Sequence, residues 1–249
     1  MTRLLLINPN TSASVSALIG AEAQRSASSG TEIEVLTAPF GVAYIETRFE
    51  ALLGAYATAQ LAGEHLGRYD ALVVAAFGDP GLAALREVLP CPVTGLTEAA
   101  LASAGLLGQR FSIVAISQRI RAWYRETVQA NGLEGRLASI RGLDEALADI
   151  GTVQDDQGDR LVALAERCVA EDGADVIVLA GAPLAGLARN VRGRLPVPVV
   201  DGVSSAVRHA ETLLALQPGR ATQGSFAHPP EKPNCGLPAS IEALLRRLA

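Results

Sequence analysis

Residues 73–82 read VVAAFGDPGL and residues 176–187 read VIVLAGAPLAGL. Each is a short aliphatic run, the composition of a strand buried on both faces, that breaks into a glycine-containing turn. The likeness extends outward from both runs. Asp70-Ala-Leu-Val-Val-Ala aligns with Asp175-Val-Ile-Val-Leu-Ala, then Gly81-Leu82 with Gly186-Leu187, and after one inserted residue Pro90-Cys-Pro-Val with Pro196-Val-Pro-Val. A repeat of about 105 residues is far longer than a solenoid unit, so it predicts two similar halves.

The rest of the chain fits that reading. Strands are predicted near Leu4–Ile7, Glu32–Leu36, Ala71–Ala75, Val93–Gly95, Ser112–Ala115, Val176–Ala180 and Val199–Val200. Between them lie stretches at helical spacing, two of them opening at polar caps: Thr11 or Ser12, and Thr97. The expected fold class is α/β, with two Rossmann-like parallel-sheet halves related by a pseudo-twofold axis. Residues 1–103 plus 205–249 would form the first half and residues 104–204 the second, and the proline-rich tail would lie as an ordered arm over the body. Ligands of open parallel sheets gather at the carboxyl ends of the strands, so facing halves would bring both turns to one cleft.

Composition narrows the function. Of 249 residues, 49% are hydrophobic and 19% charged, which excludes a disordered chain. The formal charge is −5 and Lys232 is the only lysine, so a basic face for nucleic acid is not expected. No run approaches the roughly 20 apolar residues of a membrane span, and the N-terminus lacks a cleavage pattern; a cytoplasmic protein with a small-molecule substrate is expected. Cys91, Cys168 and Cys235 are too few and too far apart for a disulfide framework or a zinc cluster, and His65, His209 and His228 lack metal-ligand spacing. No metal is expected.

Three stretches could carry chemistry. INPNTS at 7–12 is a turn and helix cap, and Asn10 with the following backbone N–H groups could also hold a polar ligand at the helix N-terminus. FGDPGL favours a tight turn on local grounds alone, yet it also sets Asp79 beside a nest of N–H groups able to hold a carbonyl oxygen and position a proton. The second turn, GAPLAG, has no titratable side chain. Glu46, in GVAYIETRF, is either a solvated surface acid or a second proton carrier. Glu98 reads as a first-turn carboxylate complementing a helix dipole, and Asp201 as a cap or a cleft residue.

Taken in order, INPNTS, FGDPGL, VVDGVSSAV and PPEKPNCGL resemble the hydantoin and allantoin racemase branch of the Asp/Glu racemase superfamily, from Leu4 to Leu245. The resemblance implies an active site between the halves, no cofactor, and a tendency to homo-oligomers. It places the ring beside Asn10, Ala76, Phe77, Gly78, Ala115, Ile116, Ser117, Gly181 and Ala182. It also implies a cysteine at the end of each repeated strand, one thiolate removing the ring-carbon proton and one thiol returning it on the other face. At the matching positions this chain has Ala76 and Gly181, and Ala115 and Ile116 stand where a ligand-holding threonine pair is usual. Neither a methyl nor a hydrogen carries a proton. The sequence therefore points to thiol-independent chemistry on a hydantoin-type or thiohydantoin ring, with Asp79 and Glu46 as catalytic residues. Hydrolysis, which needs one base and an oxyanion site, is the first expectation. An isomerase with an altered site and a non-catalytic binder are the alternatives.

Overall fold

The computed structural model describes residues 1–144 and 150–246. The first half runs β1 (Thr2–Asn8), α1 (Ala13–Ser26), β2 (Thr31–Thr37), α2 (Arg48–Glu64), β3 (Ala71–Val74), α3 (Leu82–Val88), β4 (Val93–Gly95) and α4 (Leu96–Leu107). The second runs β5 (Phe111–Ala115), α5 (Arg121–Ala130), β6 (Leu137–Gly142), α6 (Val153–Asp172), β7 (Val176–Ala180), α7 (Leu187–Asn190), β8 (Val199–Asp201) and α8 (Gly202–Leu216); α9 (Ala239–Leu245) follows. Two four-stranded sheets result, in the orders β2-β1-β3-β4 and β6-β5-β7-β8, and every pairing is parallel. The α/β class with two Rossmann-like halves expected from the sequence is thus the fold observed.

The repeat is visible in the register. Leu72 pairs with Val93 as Ile177 pairs with Val199, and Val74 with Gly95 as Leu179 with Asp201. Gly81 and Gly186 are both left-handed residues opening a helix, at φ +79° and +81°. That conformation is nearly free for glycine and strained for most other residues, which is why a glycine ends each copy of the turn. Leu96 and Gly202, each the first residue of the helix after the last strand of its half, meet across the pseudo-twofold: a Cβ on Gly202 would come within 2.6 Å of the Leu96 Cβ.

Alternation along the strands sorts the core into layers. Leu4, Leu6 and Val73 of the first sheet share one apolar cluster with Ile113, Val176 and Val178 of the second, filled by α1, α4, α5 and α8. Leu5, Ile7, Leu72 and Val74 face outward onto a cluster completed by Leu61 and Leu244, while Val114, Ile116, Ile177 and Leu179 face a cluster built with α6 and α7. The halves are interleaved, because α4 packs on β7 and β8 whereas α8 packs on β3 and β4.

A polar contact ties the halves on their shared face. Glu22 of α1 is buried, and its Oε1 accepts from Arg189 Nη2 of α7 at 2.7 Å and from Ser26 Oγ at 2.9 Å. Its Oε2 has no partner, and a Cβ on Gly186 would lie 2.9 Å from it.

The tail is laid over the first half, with α9 so close to α2 that a Cβ on Gly63 would fall 2.1 Å from the Ser240 carbonyl oxygen. His228 Nε2 lies 3.0 Å from the Leu244 carbonyl oxygen, which ties the tail to α9. Among the described residues no helix is long and apolar enough to cross a membrane.

Candidate functional site

The carboxyl end of β3 continues as Ala75-Ala76-Phe77 and then turns sharply. Gly78 has φ +101°, and Asp79 holds the left-handed region at φ +48°, unusual for a residue with a side chain. Such strain persists where surrounding contacts over-determine it. Here the Asp79 carboxylate reaches the start of α4, Oδ1 accepting from the Thr97 amide at 2.8 Å and Oδ2 from the Glu98 amide at 2.9 Å. Gly78 N–H donates to Thr97 Oγ1 at 2.6 Å.

This arrangement corrects one reading of the sequence. Thr97 does not cap α4; it lies inside the helix and serves the turn, while the orphan amides of α4 are capped from a distance by Asp79. In the second half the equivalent helix, α8, is capped locally by Asp201, whose Oδ1 accepts from the Ser204 amide at 3.0 Å. The residue of the first half that matches Asp201 is Gly95, and a Cβ there would lie 2.4 Å from the Asp79 carboxyl carbon. The capping acid thus stands at the strand end in the second half and in the turn in the first, where glycine at the strand end leaves room for it.

Burial pushes the Asp79 carboxyl up to about 7; the amides of Thr97 and Glu98 offset this only in part, and the Glu98 charge adds to it. Glu98 itself is paired with Arg86, so its place is structural, as a first-turn carboxylate suggested. Asp79 is thus an acid held near neutrality at the end of a central strand. Its two oxygens accept one amide each, which leaves further lone pairs on both.

Asn10 is more committed than the sequence suggested. Its Oδ1 accepts from Asn8 Nδ2 at 3.0 Å and from the Ser12 amide at 2.9 Å, so the oxygen locks the β1–α1 turn. Ser12 caps α1, its Oγ accepting from the Val15 amide at 3.3 Å. The loop from 38 to 47 is pinned over this turn: Ala38 N–H donates to the Asn8 carbonyl at 2.9 Å and Thr11 N–H to that of Val42 at 3.0 Å. Ile45 wedges beside Pro9 and α2, where a Cβ on Gly54 would clash with it at 2.9 Å. Thr47 and Glu50 close the loop with a capping box. Glu46 is half-buried between these anchors, and its carboxylate has no hydrogen-bond or ion-pair partner among the described residues.

On the second half, Ala115 and Ile116 are buried, and Ser117 is half-buried with Oγ accepting from the Arg119 amide at 3.2 Å. Gly181, at φ +116°, leads into a single turn of 3-10 helix, Ala182–Leu184, steadied by Gln154 Nε2 on the Pro183 and Ala185 carbonyls at 2.8 and 2.9 Å. Ala76 and Gly181 both follow a central strand of their sheet at its carboxyl end. All three cysteines lie elsewhere. Cys91 precedes β4, at the opposite end of the first sheet; Cys168 is buried within α6 near Ser139; Cys235 is exposed in the tail. No group of three His, Cys, Asp or Glu residues among those described could hold a metal ion.

Aromatic residues of this region escaped sequence reasoning. Trp123 lies over Gly78 so closely that a Cβ there would fall 2.2 Å from its ring, and Tyr124 packs on Phe77 with ring centroids 4.7 Å apart. Burial holds the Tyr124 phenol well above its usual range, and the charges of Tyr44, Asp79 and Glu46 add to the shift. The available signal was scarcity: the chain has four tyrosines and one tryptophan.

The chain matches the family model described as Asp/Glu/Hydantoin racemase over residues 4–210. It is 37% identical over 237 residues to a hydantoin racemase of Paenarthrobacter aurescens, covering 92% of this chain and 98% of that protein. A hydantoin racemase of Pseudomonas sp. (strain NS671) is 32% identical over 236 residues, with 94% of each covered. Among solved structures, allantoin racemase from Klebsiella pneumoniae superposes with a TM-score of 0.91 at 33% identity, covering 98% of this chain and 99% of that one.

Proposed function

Because the chain belongs to the Asp/Glu/hydantoin racemase family, we propose that it is an isomerase of hydantoin-type rings that moves the ring-carbon proton with carboxylates in place of thiols. The observation that carries this reading is Asp79, an acid whose carboxyl is pushed up to about 7 by burial at the carboxyl end of a central strand; Glu46, half-buried and without a partner among the described residues, is the second proton carrier of the proposal. The hydrolytic chemistry first expected from the sequence finds no support among these relatives, which are named for racemisation.

The chemistry needs one base and one acid. In a 5-substituted hydantoin the C–H bond at carbon 5 breaks, the proton passes to the ionised carboxylate, and the electron pair moves onto the adjacent carbonyl oxygen. Return of a proton to the other face inverts the centre. A base whose pKa lies near the working pH is best matched to this task. Asp79 takes the proton and Glu46 returns one, with the roles exchanged for the other enantiomer. Asn10, Ala76, Phe77, Gly78, Ala115, Ile116, Ser117, Gly181 and Ala182 shape the ring site.

The test is to incubate the protein with one enantiomer of a 5-substituted hydantoin in heavy water. Loss of optical rotation together with a single deuterium at carbon 5 is expected. A product that has gained water, or unchanged substrate, would refute the proposal. Thiol chemistry is checked in the same assay. With Cys91 pushed up to about 12 and Cys168 raised, both by burial, alkylation reaches chiefly Cys235, and turnover is expected to stay within about twofold of the untreated protein. A rate abolished by iodoacetamide would restore a sulfur to the mechanism.

A further inference from the structure

Tyr44 is the buried polar group that the carboxylate mechanism leaves unused. Its hydroxyl oxygen is enclosed and has no hydrogen-bond partner. Buried polar groups are almost always paired, because an unpaired one bears the full loss of its hydration. The orphan is not a product of a loose loop. Tyr44 stands between Val42, bonded to Thr11, and Ile45, wedged beside Pro9, in the segment pinned to the carboxyl end of β1.

The direction of the side chain is informative. The loop belongs to the first half, yet the Tyr44 ring packs against the cluster on the outer face of the second sheet, which contains Ile116 and Leu184. Ile116 directly follows the carboxyl end of β5, and Leu184 ends the turn that begins at Gly181. The phenol therefore reaches from a loop pinned at the carboxyl end of β1 to the apolar cluster of the second half, and the ring site is proposed at the strand ends of both halves. Burial, with the charges of Glu46 and Glu50, holds its pKa well above the usual tyrosine value. A phenol kept protonated can donate a hydrogen bond but cannot abstract a proton.

We infer that Tyr44 is a catalytic residue whose hydroxyl donates to the ring carbonyl oxygen that receives the electron pair when carbon 5 loses its proton. This rests on the isomerase reading and supplies what the carboxylates lack. The two carboxyl groups are occupied with the proton transfers at carbon 5, whereas a neutral donor in a dry site stabilises the charge that develops on the carbonyl oxygen. The bond strengthens as charge builds on the oxygen, so it acts on turnover more than on ground-state binding.

Tyr44→Phe removes only the oxygen. Three measurements on the full chain, with 5-benzylhydantoin as probe, read its effect: deuterium uptake at carbon 5, quenching of the single tryptophan, Trp123, which overlies Gly78, and the urea unfolding midpoint. Uptake is expected to fall about 100-fold, the scale on which removing one such donor acts, with probe affinity changed far less. The midpoint should be unchanged or higher, because an unpaired buried oxygen has been removed. Uptake within about twofold of wild type, or a loss that accompanies a lower midpoint, overturns the role of Tyr44 while leaving the isomerase reading intact. A wild-type protein that gives no uptake removes both.

Discussion

Asp79→Asn is expected to cut deuterium uptake at ring carbon 5 by about 100-fold or more, since an amide cannot take the proton. Its effect on stability has a distinctive dependence on pH. The carboxyl is near 3.8 in an unfolded chain and about 7 in the fold. A carboxyl whose folded value is raised favours the native state most when protonated, so its contribution is complete below the unfolded value. That contribution is lost as pH rises from about 4 through about 7, on the order of 4 kcal/mol in all. Asparagine does not titrate, and its amide must turn an NH2 toward one of the N–H groups of Thr97 or Glu98, at a cost of about 1–3 kcal/mol. Urea unfolding should therefore show the variant markedly less stable than wild type near pH 5, with the gap narrowing or reversing near pH 9. Parallel curves would mean that Asp79 stays ionised and that its proposed chemistry is wrong.

Arg189→Ala is expected to cost about 3–5 kcal/mol, although the guanidinium is substantially exposed, because the partner it abandons is not. The Glu22 side chain is only 2% exposed and already has one oxygen without a partner. Close by, Asp201 is held above its usual range, by burial first and partly by the Glu22 charge. Losing the guanidinium leaves a buried negative charge facing that acid, on the surface where α1 meets the second half. Glu22→Met combined with Arg189→Ala should recover much of the loss, since an apolar side chain of similar length removes the stranded charge. If the double variant is instead as unstable as the summed single losses, the contact is not a coupled pair.

The repeat made the architecture readable, because paired strands and their turns recur at a fixed offset and register follows from that alone. What escaped were features without a local signal. The strand β6, Leu137–Gly142, is an edge strand interrupted by Ser139 and Arg141, so it lacks the aliphatic run that marked the others. Helix α3 is seven residues long and hidden behind the turn that precedes it. Thr97 has the residue type of a cap, but a carboxylate eighteen positions earlier does the capping, and no local pattern contains that contact. Asp79 and Glu46 were legible as unusual acids. The opposite is true of Tyr44 and Tyr124, which look like ordinary core aromatics until the two halves are placed face to face. The turn reading of INPNTS was legible from its residue types, and Asn10 takes that part in an Asn–x–Asn turn that satisfies its own side chains.

The two strand ends, at Ala76 and Gly181, differ in how readily each would take a cysteine. Ala76 has no positive backbone φ, and a thiol there asks for one exchange of side chain. Gly181, at φ +116°, occupies a conformation that L-residues rarely adopt, with Pro183 two residues on. A cysteine at 181 would be strained until the main chain around it had rearranged. A pair of opposed thiols at these two strand ends would therefore take more than an exchange of two side chains.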